Sequence, residues 1–207
     1  MSYDREQTQR RLVEAVGTVL ARDGFAGLGV NAVAREAGVN KALVYRYFGG
    51  FDQLMRAYAQ GQGFWPSLEE WAGEPLERFR RRSLEERATR VVVNHGRALR
   101  RRPLTLEILA WENIERNELT AVLEEVREVG QRRLVAELLP ELVDDEAVLA
   151  VGVLITAATQ YLLVRSRQVR LFSGFDLRSE VHWQRLEQAM GRMVRATIRS
   201  RRRQPVR

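Results

Sequence analysis

VNAVAREAGVNKALVYRYFG, from Val30 to Gly49, places small, apolar and polar residues where two short helices joined by a tight turn need them. Val33 and Ala34 fall inside the first helix, Gly38 comes four residues after Ala34, and Val44 and Phe48 return to the core face of the second. Ala34 has to be small because the helices cross there at a steep angle. Gly38 can take positive φ and end the first helix within a turn of about 3–4 residues. Asn40 is then placed to cap the second helix. Lys41, Ala42, Leu43, Tyr45 and Arg46 are left facing outward from a short helix of the kind that enters a DNA major groove. Lys41 is the only lysine in the chain. Ala, Gly and Val at these spacings also occur in unrelated helical hairpins, so the flanking sequence has to decide.

Upstream, Leu12, Val16, Val19 and Leu20 recur at helical spacing, and Gly24 followed by Phe25 supplies the glycine stop and apolar follow-on of a helix end. A helix of that length packs beneath the reading helix in a three-helix DNA-binding domain. The run LVEAVGTVLARDGFAGLGVNAVAREAGVNKALVYRYFGGFDQLM resembles the amino-terminal domain of the TetR/AcrR family of bacterial transcription regulators. Within it ARDGF, VAREAGVNK and VYRYFGGFDQL match the family pattern in order and without gaps, over about a quarter of the chain. The resemblance implies an all-α protein. An amino-terminal three-helix, helix-turn-helix DNA-binding domain would span residues 1–50, and a helical ligand-binding and dimerisation domain residues 51–203.

On that resemblance Lys41 holds the place that touches the phosphate backbone at the start of the reading helix, beside Asn40. Tyr45 and Tyr47 direct polar tips at phosphates, which positions the helix without reading sequence. Tyr47, next to Phe48, reads equally well as a core ring. Ala42 and Leu43 lie closest to base edges, where apolar side chains favour thymine methyl groups. Arg46 reaches phosphate or a guanine edge. Two positions depart from the family. Gly29 stands where a Ser or Thr usually caps the first motif helix and binds phosphate, leaving Asn31 on the first turn as the substitute. Phe51 stands where a lysine usually follows the reading helix.

Composition bounds the remainder. The chain has 207 residues, 45% of them hydrophobic, and no cysteine, which excludes disulfides, thiolate catalysis and cysteine-ligated metal and suits the cytoplasm. A charged amino terminus predicts no signal peptide, and no uninterrupted apolar run approaches the ~18–20 residues that span a bilayer. His95 and His182 are far apart, and no nucleophile with its base, metal set or phosphate loop is visible, so neither an enzyme, a metal nor a cofactor is expected. The net charge of +7 is unevenly spread. Residues 1–50 hold seven cations and five anions; Arg78–Arg102 holds ten arginines against two glutamates, and Arg165–Arg207 twelve against three acids. Arginine replaces lysine almost throughout, so both basic runs read first as solvated helix faces.

Beyond the motif the pattern is helical, with no strand-like alternation or turn-linked hairpin. Helices are predicted from about Phe51 to Gln60, from past Pro66 to the arginines before Pro103, and from Pro103 to about Ile114. Three more follow: Asn117 to Leu139, Glu146 to about Val169 capped by Asp144 and Asp145, and about Leu177 to Arg202. Residues 204–207 read as a disordered tail. EAVLAVGVLITAATQYLLV is apolar nearly all round, so it must be buried on most of its surface, and a subunit interface does that best. The last helix carries a matching stripe through Val181, Leu186, Met190, Met193, Val194 and Ile198. Both resemble the pair that forms the family's dimerising bundle.

In the family the central helices enclose an effector cavity. Phe64, Trp65, Trp71, Trp111 and Tyr161, with polar Asn94, His95, Glu112, Thr156 and Gln160, are the residues suited to line one, although aromatic residues on amphipathic helices are more often plain core. Apolar walls with few polar groups suit a lipophilic small molecule. The expected protein is a homodimeric repressor that a small-molecule effector releases from a palindromic, double-stranded operator. The alternative, motivated by Gly29 and Phe51, is a helical ligand-binding or interaction protein whose DNA-binding domain has degenerated.

Overall fold

The computed structural model describes residues 2–61 and 63–201, and these form eleven α-helices and one minute hairpin. In chain order the helices are α1 (Ser2–Asp23), α2 (Val30–Glu36), α3 (Ala42–Phe48), α4 (Phe51–Gln60), α5 (Leu68–Ala72), α6 (Leu76–Arg80) and α7 (Leu84–Arg100). Then come α8 (Pro103–Glu112), α9 (Glu118–Leu138), α10 (Glu146–Ser166) and α11 (Glu180–Arg201). Strands β1 (Leu171–Phe172) and β2 (Phe175–Asp176) pair antiparallel between the last two helices. The chain divides into two compact units.

The first unit comprises residues up to Trp65 together with Pro103–Val129. Leu12, Val16, Val19 and Leu20 of α1 meet Val33 of α2, Val44 of α3 and Leu54 and Met55 of α4 in one core. Ile108 of α8 and Leu123 of α9 join the same core, so the unit is wider than residues 1–50. The reason is that α4 packs on α1 with Leu54, Met55 and Ala59 buried, and α8 lies against α1 and the Phe25–Gly27 turn. Trp111 of α8 stacks on Phe25 with ring centroids 5.6 Å apart. Arg56 of α4 pairs with Glu125 of α9 at 2.7 Å.

The second unit comprises Pro66–Arg102 and the chain from Gly130 onward. Here α7, α10 and α11 pack against one another around Phe79, Val91, Leu138, Ile155, Val194 and Ile198. The single helix predicted before Pro103 is three helices. Gly73 ends α5 at φ 72, and Ser67 and Ser83 each start a new helix through a capping box with Glu70 and Glu86. Both boxes are S-x-x-E patterns legible in the sequence. The hairpin overturns the expectation of none: Ser173 and Gly174 take φ 48 and 82 in a two-residue turn, so the dipeptide Ser-Gly between Leu-Phe and Phe-Asp was the missed signal. The hairpin ends at Asp176, just before the expected start of the last helix at about Leu177, and that helix starts at Glu180. The expected tail at 204–207 lies outside the described residues.

Helix α10 carries the apolar segment that the sequence singles out. Its 21 residues have a mean hydropathy of 2.1 over the most apolar window, enough by length and composition to cross a bilayer. Thr156, Thr159 and Gln160 interrupt the apolar surface, and one side packs on α7 and α11. The opposite side is open in the protomer: Val153 and Leu154 are 67% and 64% exposed, in line with exposed Ala150, Ala157, Ala158 and Tyr161. Phe172 of the hairpin packs edge-on against Tyr161, 5.8 Å between centroids, and extends that apolar side.

Candidate nucleic-acid interface

The geometry of α2, the turn and α3 follows from a few side chains. Gly29 begins α2 with no side-chain cap, its carbonyl accepting the Val33 N–H at 3.0 Å. At the other end Gly38 sits at φ 65, which lets the Val39 N–H reach back to the Ala34 carbonyl at 3.0 Å. Ala34 is buried where α2 approaches its neighbours, as its small size requires. The Asn40 carboxamide oxygen accepts the Ala42 N–H at 2.9 Å, so Asn40 closes the head of α3 as expected of it. Val44 is fully buried, which fixes how α3 is rotated about its axis.

That rotation places the expected contact residues. Asn31, Asn40, Lys41, Ala42, Tyr45 and Arg46 are exposed, and Leu43 is half-buried. Neither Lys41 nor Arg46 forms an ion pair with a carboxylate among the described residues, whereas Arg22 in the same unit is held by Asp23 and Glu36 at 2.9 and 2.6 Å. Tyr47 is half-buried, and guanidinium groups of Arg5 and Arg46 lie 5.4 and 6.0 Å from its ring centre. Arg5 had no signal in the sequence, because only the fold brings the start of α1 to the end of α3. Phe51 is half-buried and packs on the unit's core, so the position that lacks the family's cation serves packing instead.

The expected effector residues are divided between the two units. In the first, Phe64 is buried against Tyr58 and edge-on to Trp65; Trp111 donates to Glu107 at 3.1 Å; and Glu112 forms an ion pair with Arg127, of which sequence reasoning gave no hint. Burial raises the Glu112 carboxyl above its ordinary range despite that partner. In the second, Asn94 donates to the Trp71 carbonyl at 3.0 Å, Thr156 and Gln160 are half-buried, and Tyr161 faces outward with the hairpin. Trp65 Nε1, Glu112 Oε1 and His95 Nε2 are buried without a hydrogen-bond partner among the described residues, which marks them as places where a polar group of another molecule gains most.

His95 gives a pH prediction. Trp71 Nε1 donates to His95 Nδ1 at 3.0 Å, so the imidazole is neutral with its proton on Nε2. Burial pushes its pKa from 6.5 down to about 4. The unfolded chain therefore takes up a proton as pH falls past 6.5, while the folded chain does not until about 4. Stability is full above the unfolded value, is lost as pH falls through the window between the two, and levels off below it, by about 3 kcal/mol in all. Denaturation midpoints measured across that window should fall more steeply in the native protein than in His95→Gln. Equal slopes would remove His95 as the cause.

Residues 12–58 match the family described as bacterial regulatory proteins, tetR family. An HTH-type transcriptional repressor of Streptomyces coelicolor is 41% identical over 51 residues, which are 25% of this chain and 27% of that protein. The chain thus matches about a quarter of that relative's length. The fatty acid degradation regulator FadR of Bacillus halodurans has a similar fold, with a TM-score of 0.60 at 17% identity over 89% of this chain and 94% of that one. FadR of Bacillus subtilis, solved in complex with stearoyl-CoA, gives 0.56 at 15% identity over 87% and 96%. At these identities what is shared is the fold.

Proposed function

We propose that this chain is a tetR-family regulatory protein that represses transcription as a homodimer on a palindromic operator, which it leaves when a small molecule binds. The observation that carries the reading is α3: a buried Val44 fixes the helix so that Lys41, Ala42, Tyr45 and Arg46 stand free in solvent. Lys41, Asn40, Tyr45 and Tyr47 hold phosphates, Asn31 supplies the polar group that Gly29 lacks, and Ala42, Leu43 and Arg46 meet base edges. A two-fold dimer sets two such helices about 34–36 Å apart, one DNA turn. The open apolar side of α10, extended by the hairpin and flanked by exposed Val181 and Met193 of α11, supplies the dimer surface. FadR of Bacillus subtilis binds stearoyl-CoA, which supports a lipophilic effector here as the class to screen first. A regulator of this kind works in the cytoplasm.

Selection from a random duplex library at two salt concentrations tests the reading. A recovered palindrome supports it; weak, salt-sensitive binding with no motif would favour a degenerate DNA-binding domain. Two variants refine the test. Lys41→Ala should weaken binding to every sequence and lower the salt slope by about one unit; an unchanged slope removes Lys41 from the phosphate contacts. Leu43→Gln should change the selected motif, and a uniform loss across sequences would count against base readout.

A further inference from the structure

Between α7 and α11 the second unit opens a groove of about 530 Å³. Three arginines line it, Arg97 from α7 and Arg192 and Arg195 from α11, against the single carboxylate of Glu187. That carboxylate is already used: Arg97 donates to both its oxygens, at 2.9 and 2.6 Å, and Glu187 is only 8% exposed. The pair cancels, and two guanidinium groups remain. Among the described residues Arg195 bonds only the neutral hydroxyl of Thr89, at 3.3 Å, and Arg192 is exposed with no ion pair or hydrogen bond.

This differs from the other basic run of the chain. From Arg78 to Arg102 every arginine except Arg81 pairs with a carboxylate, most of them outside the run, so its cations are partnered. In the groove the charge is left over. Arg192 and Arg195, three residues apart, share one side of α11. Gly191 keeps the floor bare: a Cβ there would lie 2.9 Å from both Arg195 Nη1 and Thr89 Cγ2, so a larger residue would shift that guanidinium. Gln184 and Gln188 add amide groups along the same wall, and Val93 is the one aliphatic side chain in the lining. The groove offers charge-assisted hydrogen bonds to oxygen anions and little for an apolar tail.

We propose that the α7–α11 groove binds a compact, multiply charged anion, a diphosphate or a polycarboxylate, through Arg192 and Arg195. This site is separate from the operator-binding helix, so its failure leaves that reading untouched. Calorimetric titration of the full chain with pyrophosphate and, separately, with citrate tests it and distinguishes the two sources of charge. Saturable binding of either, one per protomer, is expected. It should weaken about tenfold or more in Arg192→Gln and in Arg195→Gln, and not in Arg81→Gln, which removes an exposed cation elsewhere. Arg192 is exposed, so its variant should melt like the native protein and report on binding alone. Absence of saturable binding by both probes, or an equal loss in Arg81→Gln, would overturn the proposal.

Discussion

Ala157→Glu should yield a folded protomer that neither dimerises nor holds an operator. Ala157 is exposed in the protomer, on the open side of α10 with Val153, Leu154 and Tyr161, so a carboxylate there stays in water while the chain is alone. Such surface substitutions change protomer stability by only about 0.5 kcal/mol. In a two-fold dimer through this side the same carboxylate would be buried without a partner, and its symmetry mate would be buried near it. Several kcal/mol are lost at that point, and each ~1.4 kcal/mol is tenfold in the dimer constant. Losing the dimer also removes the effective concentration with which one half-site holds the other, worth on the order of 10²–10⁴ in avidity. Light scattering after size exclusion, with a thermal melt of the same sample, reads both halves of the expectation. A soluble, intact dimer would place the interface elsewhere.

Val44→Asp should strongly lower the folding transition of the first unit and weaken DNA binding with it. The Val44 side chain is 0% exposed, in a core with Leu12, Val16 and Leu54, and among the described residues that core contains no cation to pair with a carboxylate. An uncompensated buried charge costs about 3–5 kcal/mol, against a total stability of about 5–15 kcal/mol for an ordinary domain. Its neighbour in sequence provides the contrast, because Leu43 is half-buried and Leu43→Gln should melt normally while its motif changes. Differential scanning calorimetry on both variants makes the comparison. A normal melt for Val44→Asp would mean that α3 is rotated about its axis from the position described.

The turn and its flanks were legible because each rests on local chemistry. Gly38 takes the positive φ that ends α2, Asn40 closes the head of α3, and Val33, Ala34 and Val44 are buried where their spacing put them. Helix starts at Ser67 and Ser83 were equally local, each an S-x-x-E pattern inside the stretch expected to be one helix. What escaped was set by contacts distant in sequence. Arg5 reaches Tyr47 and Arg127 reaches Glu112 only once the helices have packed. The effector residues were chosen by type, and type does not say which aromatic ring will be enclosed: Phe64 is buried in a core, while Tyr161 stands at the surface.

The reading helix is also chemically singular. An acylating reagent meets one side-chain amine on this protein, the Nζ of Lys41, and finds it in open solvent at the head of α3. The mass gained at that atom reports how much of the population keeps its reading helix free, with no probe to engineer and no second lysine to subtract. Acylation also erases the charge it reports, so at the place where DNA would be met the labelled and unlabelled molecules differ by a single cation.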